Sequence, residues 1–291
     1  MAQRIQGQRA PELHAFCLCL VVGKTAMQTP FLVRLYRASR IAIHLLEGVA
    51  TTVLVFPLLR PRTQRTLVRI WSRRLLGMLN VGTRLHGALF TADGNVLLVA
   101  NHVSWLDVFV LNSVHPVRFV AKAELARLPL IGRLLRGVGT LFVERARKCD
   151  ARRINDKASA ALLRGDVVAV FPEGKTSSGI DVLPFKSALL QSVVDADGHV
   201  QPIALRYRTA SGEVSVLPAY VDNVTLLGSL WRITGARSLI VDVHARPMLT
   251  ARGAHRRDLS RSAEAAIREV LQGPVVGTES DIRAGCRVAS P

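Results

Sequence analysis

The chain has 291 residues, with 39 Lys and Arg against 21 Asp and Glu, a formal charge of +18, and an apolar share of 49%. That length holds one large core or two small ones, and the charge attracts polyanions such as nucleic acid, anionic lipid or phosphorylated metabolites. Apolar content this high beside so much arginine favours a membrane surface, and aromatics at 5% leave few platforms for stacked bases, so nucleic acid is not expected as a partner.

Residues 1–30 read as a variable extension. Cys17 and Cys19 lie there in the run Ala15–Gly23, which is too short to cross a bilayer. With Cys149 and Cys286 they show neither CxxC pairing nor disulfide-scaffold density, which argues against a zinc site or an oxidised framework and for a reducing compartment.

Residues 31–80 read as membrane-anchoring helices. Ile41 to Leu59 is apolar except for His44, Glu47 and two Thr, with Arg34, Arg37 and Arg40 before it and Arg60 and Arg62 after it. A spanning helix needs about 20 residues, and an ionised Glu near mid-bilayer costs about 3 kcal/mol, so crossing and dipping are both open. In the next stretch Leu67, Ile70, Trp71, Leu75 and Met78 fall at helical spacing, with Arg65, Arg69, Arg73 and Arg74 elsewhere around the helix. This is the pattern of a basic helix lying on anionic lipid with an interfacial Trp; the alternative is a helix packed on the protein's own core.

Residues 81–248 alternate between strand and helix patterns. Short β-branched runs at 95–101, 117–122, 140–145, 167–173, 201–208 and 239–247 predict strands, with helical stretches such as 150–165 between several of them. The expected fold is α/β, a mixed, largely parallel sheet flanked by helices and preceded by the N-terminal membrane-associated helical segment. Residues 249–291 read as a basic C-terminal segment with one helix, Asp258 to Gln272, and a tail.

The stretch "FPEGKTSSG", Phe171 to Gly179, contains the "GKT" that ends a nucleotide-binding P-loop. That motif needs glycine five residues before Gly174, and the position holds Ala169, inside a predicted strand. Glu173 would also put a carboxylate where phosphate needs N–H donors. No G-x-S-x-G is present either, which leaves a serine hydrolase unsupported.

"NHVSWLD", Asn101 to Asp107, directly follows the strand run 95–101. A His and an Asp at a strand's end suit a general base and the carboxylate that fixes its tautomer. Five residues of regular helix turn through about 500°, leaving the two side chains about 140° apart. Direct pairing therefore requires His102 on the turn before a helix and Asp107 inside its first turns.

The order H-x-x-x-x-D, "LFVER", "FPEG", "QPIAL" resembles the glycerolipid acyltransferase family, which makes phosphatidic acid from 1-acylglycerol-3-phosphate. The resemblance covers about Leu85 to Pro247. It implies that His102 takes the proton of the acceptor hydroxyl as it attacks an acyl thioester and that Asp107 orients His102, while Ser104 is a bystander. Arg145 is expected to bind the acceptor's phosphate, since a guanidinium offers a two-pronged fork, and Lys122 to assist with phosphate or oxyanion. Phe171, Pro172, Glu173 and Gly174 correspond to the family's glycerol-phosphate block, with Glu173 facing the cleft. The donor would be acyl-CoA or acyl carrier protein, with no cofactor and no metal. The partners would be membrane lipids and a lysophospholipid acceptor, and the place the cytoplasmic face of a bacterial inner membrane. The family's block continues Thr-Arg-Ser where this chain has Lys175, Thr176, Ser177 and Ser178; Lys175 could supply the missing charge. A related branch that acylates lyso-ornithine lipid tolerates such changes and is the alternative, and a non-catalytic basic lipid-binding protein is a weaker one.

Overall fold

In the computed structural model, which describes residues 29–90, 95–143, 148–221 and 224–274, the apolar stretch after Pro30 forms helix α1 (Phe31–Ala50). A π-helical turn at Thr51–Val55 and a 3-10 turn at Phe56–Leu58 prolong it, so the helix begins ten residues before the predicted apolar segment. Pro61, whose missing N–H costs nothing in a first turn, opens α2 (Pro61–Met78).

The α/β part then runs β1 (Val81–His86), β2 (Val96–Ala100), α3 (Leu106–Val114), β3 (Arg118–Lys122), α4 (Ala123–Arg127), α5 (Ile131–Gly137), β4 (Leu141–Val143), α6 (Lys148–Leu163), β5 (Val168–Val170), α7 (Gln191–Asp195), β6 (His199–Thr209), α8 (Leu226–Thr234), β7 (Leu239–Ala245), β8 (Leu249–Thr250) and α9 (Arg256–Gln272). The strands form one sheet in the order β1-β7-β6-β2-β5-β3-β4, with β8 added beside β6. Among the described strands only the β6–β7 and β6–β8 pairs are antiparallel, which gives the expected mixed, largely parallel sheet. Every residue of β2 is buried, as a central parallel strand covered on both faces requires.

Two apolar layers sandwich the sheet. On one face Leu98, Ala100, Ile203 and Leu205 meet Leu75 and Leu76 of α2 and Leu106 and Val110 of α3. On the other, Leu97, Val99, Val168 and Val170 meet Ala158 and Leu162 of α6 and Ile267 and Leu271 of α9. Residues 249–272 thus complete the α/β domain: β8 joins the sheet and α9 covers it, which the division at 248 did not anticipate. Strand β1 was also not anticipated, and β5 ends at Val170 rather than at residue 173.

Through Trp71, Leu75, Leu76 and Met78 the α2 helix packs on the protein's own core, while Ile70 is exposed. Trp71, half-buried, packs on α1. Its indole Nε1 donates to the His44 carbonyl at 3.1 Å, His44 Nε2 lies 3.0 Å from the Trp71 carbonyl, and the two rings stack with centroids 4.5 Å apart. Gly48 makes this crossing possible, because a Cβ there would lie 2.8 Å from Trp71 Nε1. Along α1 and its extension Ile41, His44, Gly48, Thr52 and Phe56 form one buried stripe at helical spacing, with α2, α5 and α8 packed against the helix. Its other side exposes Leu32, Leu35, Ile43, Leu46, Leu54 and Leu58.

Candidate active site

Strands β2 and β5 are parallel neighbours, and the chain leaves both at the same edge of the sheet. Asn101, next after β2, is fully buried and clamps that edge to β6: its Nδ2 donates to the Leu205 carbonyl at 3.0 Å, and its Oδ1 accepts the Leu205 N–H at 2.7 Å. Residues 101–105 are non-helical and α3 begins at Leu106, which is the break in helicity that the spacing of His102 and Asp107 requires.

Across that break His102 Nδ1 and Asp107 Oδ2 are 2.8 Å apart. Oδ2 also accepts the N–H groups of Val103 at 2.7 Å and Ser104 at 2.9 Å, so the turn wraps around the carboxylate. Asp107 is completely buried, while the His102 side chain keeps 22% of its surface exposed. With Nδ1 tied to a carboxylate, Nε2 is the ring nitrogen left to a substrate. The His102 ring lies flat on Phe171, centroids 4.0 Å apart, and Phe171 in turn lies against Phe119 at 5.8 Å. An imidazole held so, in plane and in tautomer, can accept a proton at Nε2 and pass it on.

Glu173, expected to face the cleft, is 3% exposed and turned into the protein. One carboxylate oxygen accepts the His102 N–H at 2.6 Å and the other the Leu183 N–H at 3.0 Å. Burial pushes its carboxyl above the usual range, and the N–H groups of His102 and Leu183 pull it back down. On the other side of His102, the Ser177 N–H donates to its carbonyl at 2.7 Å. Both peptide groups flanking His102 are therefore held by the segment after β5. Pro172 is buried with its carbonyl accepting the Lys186 N–H at 3.0 Å, and Gly174 has φ +73°, a left-handed conformation that glycine adopts without penalty.

The structure thus brings together His102, Asp107, Phe171 and Glu173. Lys122 and Lys175 are exposed, the first at the end of β3 and the second beyond the Gly174 turn. Arg145 lies outside the described residues. Ser104 contributes its backbone N–H, and its buried hydroxyl has no partner among the described residues. Three residues escaped the sequence reading. Asn101 was visible only as the neighbour of His102. Tyr207, whose hydroxyl reaches Asp107 Oδ1 at 2.6 Å, shares a strand face with Ile203 and Leu205 and looks like one more core residue. Lys186 follows "PF" with no motif to mark it, yet its ammonium is 3.1 Å from where a Cβ on Gly174 would sit.

Residues 82–206 match the model of the Acyltransferase family. A 1-acyl-sn-glycerol-3-phosphate acyltransferase of Neisseria gonorrhoeae is 38% identical over 183 residues, which are 63% of this chain and 71% of that protein. The chain belongs to the acyltransferase family. Another relative of this acyltransferase, a lyso-ornithine lipid O-acyltransferase of Pseudomonas aeruginosa, is 34% identical over 220 residues, 76% of this chain and 83% of the relative. Its fold matches the crystal structure of a 1-acyl-sn-glycerophosphate acyltransferase from Thermotoga maritima with a TM-score of 0.65 at 20% identity, over 89% of this chain and 97% of that one. As an acyltransferase it is an enzyme, and the His102–Asp107 turn lies within the matched residues.

Proposed function

We propose that this acyltransferase moves a fatty acyl group from acyl-CoA or acyl carrier protein to the free hydroxyl of 1-acylglycerol-3-phosphate, giving phosphatidic acid. The observation that carries the reading is the 2.8 Å contact of His102 Nδ1 with a buried carboxylate, which leaves Nε2 for the acceptor. The acceptor oxygen attacks the thioester carbon, an ester C–O bond forms and the C–S bond breaks. The hydroxyl proton goes to His102 Nε2 and from there to the departing thiolate. A positioned base and an aligned acceptor suffice without an acyl-enzyme, and the reading calls for no metal or prosthetic group. Arg145 remains the proposed phosphate ligand, with Lys122, Lys175 and Lys186 as cations around the same edge.

A second reading, a lyso-ornithine lipid acceptor, is favoured by the turn after Gly174. It offers no arginine, and its hydroxyls are engaged: Thr176 donates to the Tyr220 carbonyl and Ser177 to the His102 carbonyl. Relatives of both kinds are similar to the chain over most of its length.

The place of action we propose is a membrane surface, the cytoplasmic face of a bacterial inner membrane. The helix Phe31–Leu58 is long and apolar enough to cross a membrane, and protein packs along one side of it. Its exposed apolar side fits a helix half-sunk in one leaflet. The test is purified enzyme with each acyl donor and each lyso-lipid in turn. His102→Ala should abolish transfer while vesicle binding persists, and near-normal turnover would refute the base.

A further inference from the structure

The two oxygens of the buried Asp107 carboxylate have unequal surroundings. Oδ2 gathers His102 Nδ1 and the N–H groups of Val103 and Ser104. Oδ1 is met by the hydroxyl of Tyr207, 2.6 Å away, reaching across from β6. A carboxylate pivots about its Cβ–Cγ bond, and donors crowded at one oxygen leave that pivot partly free. A donor at the opposite oxygen closes it.

We propose that Tyr207 is a positioning residue for acyl transfer: its hydroxyl fixes the plane of Asp107 and draws charge from it, so that the carboxylate orients His102 without holding the proton too firmly. The inference rests on the reading of His102 as base. The placement of Tyr207 is itself built in. β6 directs Ile203, Leu205 and Tyr207 toward the layer that contains α3, and the Asn101 clamp on Leu205 sets the register two residues before the tyrosine. Tyr207 is 3% exposed, and burial followed by the Asp107 charge pushes its ionisation well above that of an ordinary tyrosine. It therefore stays a donor at every pH at which the enzyme would be assayed.

Tyr207→Phe keeps the ring and removes the donor. A hydrogen bond to a charged group is strong enough that its loss should lower kcat about 10- to 100-fold, with both KM values changed by less than about twofold, because Tyr207 touches neither substrate in this reading. Asp107 regains the charge that Tyr207 withdrew and holds the imidazolium proton more tightly. The acidic limb of the kcat profile should then move to higher pH. A complementary measurement leaves ring and donor in place: the chain has three tyrosines, and global replacement by a fluorinated tyrosine, a stronger donor, should move that limb to lower pH. If Tyr207→Phe lowers only the melting temperature, with kcat per folded molecule and the acidic limb unmoved, Tyr207 is a core residue and the proposal is overturned. An inactive His102→Ala beside an unaffected Tyr207→Phe overturns this proposal alone, whereas an active His102→Ala overturns the base and the proposal together.

Discussion

Glu173 separates two explanations of the "FPEG" turn. If it binds the acceptor, its loss should raise the acceptor KM and spare the fold. If it braces the catalytic turn, as its bonds to the His102 and Leu183 N–H groups at 2.6 and 3.0 Å indicate, Glu173→Gln should injure fold and kcat together. The amide keeps one oxygen, and its NH2 must then point at one of the two N–H donors. That change loses a charge-assisted hydrogen bond and leaves a donor unpaired in a site 3% exposed, a cost of about 2–3 kcal/mol. For a domain of this size the melting temperature should fall by about 5–10 °C. With the His102 N–H released, the imidazole loses one of the two peptide anchors that set its direction, and kcat should fall by about tenfold or more while the acceptor KM stays within about twofold. Thermal melting in detergent and steady-state kinetics with varied acceptor decide between them. An unchanged melting temperature with a raised acceptor KM would refute the brace.

Lys186→Ala should raise the KM for a phosphate-bearing acceptor about tenfold and leave the donor KM unchanged, since its ammonium stands over Gly174 at the catalytic edge; an equal effect on a lyso-ornithine acceptor would remove Lys186 from phosphate recognition. His244 has its pKa lowered from 6.5 to about 4, first by burial and then by His86. The unfolded chain therefore takes up a proton before the folded one, and stability present above pH 6.5 is lost as pH falls toward 4. Allowing for solvent screening the loss is about 1–2 kcal/mol, and His244→Gln should flatten it in denaturant titrations at stepped pH. Deletion of residues 1–80 should give an insoluble chain rather than a soluble domain, because Ile41, Leu75, Leu76 and Leu79 belong to the main core; recovery of a folded, monodisperse product would show that α1 and α2 are dispensable.

The His102–Asp107 turn was legible because geometry allowed one solution. His102 and Asp107 could meet only across a helix start, and the start is where the spacing put it. The sheet was legible from its short β-branched runs. Glu173 was not, because a turn that begins with Pro172 breaks the strand's alternation, and nothing local says whether the next side chain faces a cleft or the interior. Tyr207 was hidden because period two places it correctly among apolar residues while its hydroxyl finds a partner 100 residues away in sequence. Strand β1 carries Gly82 and Thr83 exposed at the sheet edge, so it lacked the apolar alternation that marks a half-buried strand. For α2 the ambiguity is one of physics: an apolar stripe with arginines around it serves equally against lipid or against a protein core, and nothing in the spacing announces the Trp71–His44 crossing.

Other contacts of α1 tie the surface we assign to lipid to the turn that carries His102. Arg34 and Arg37 of α1 donate to the carbonyls of Trp231, Thr234 and Ala236 at the end of α8, at 2.7 to 3.0 Å. Ser229 within α8 accepts the indole N–H of Trp105 at 3.1 Å, and Trp105 ends the turn that carries His102. A helix anchored only by its own insertion would leave the base free to tilt relative to the bilayer. Here α1 is braced through α8 to the residue that closes the His102 turn; under the proposed function, a lyso-lipid rising from the leaflet beside α1 would meet an imidazole at fixed height and direction. Cutting one link, by Trp105→Phe, removes the indole donor while keeping an aromatic ring. It should leave vesicle binding intact and lower kcat on membrane-embedded acceptor more than on acceptor dispersed in detergent, whereas equal losses in both would show that the brace does not serve presentation from the membrane.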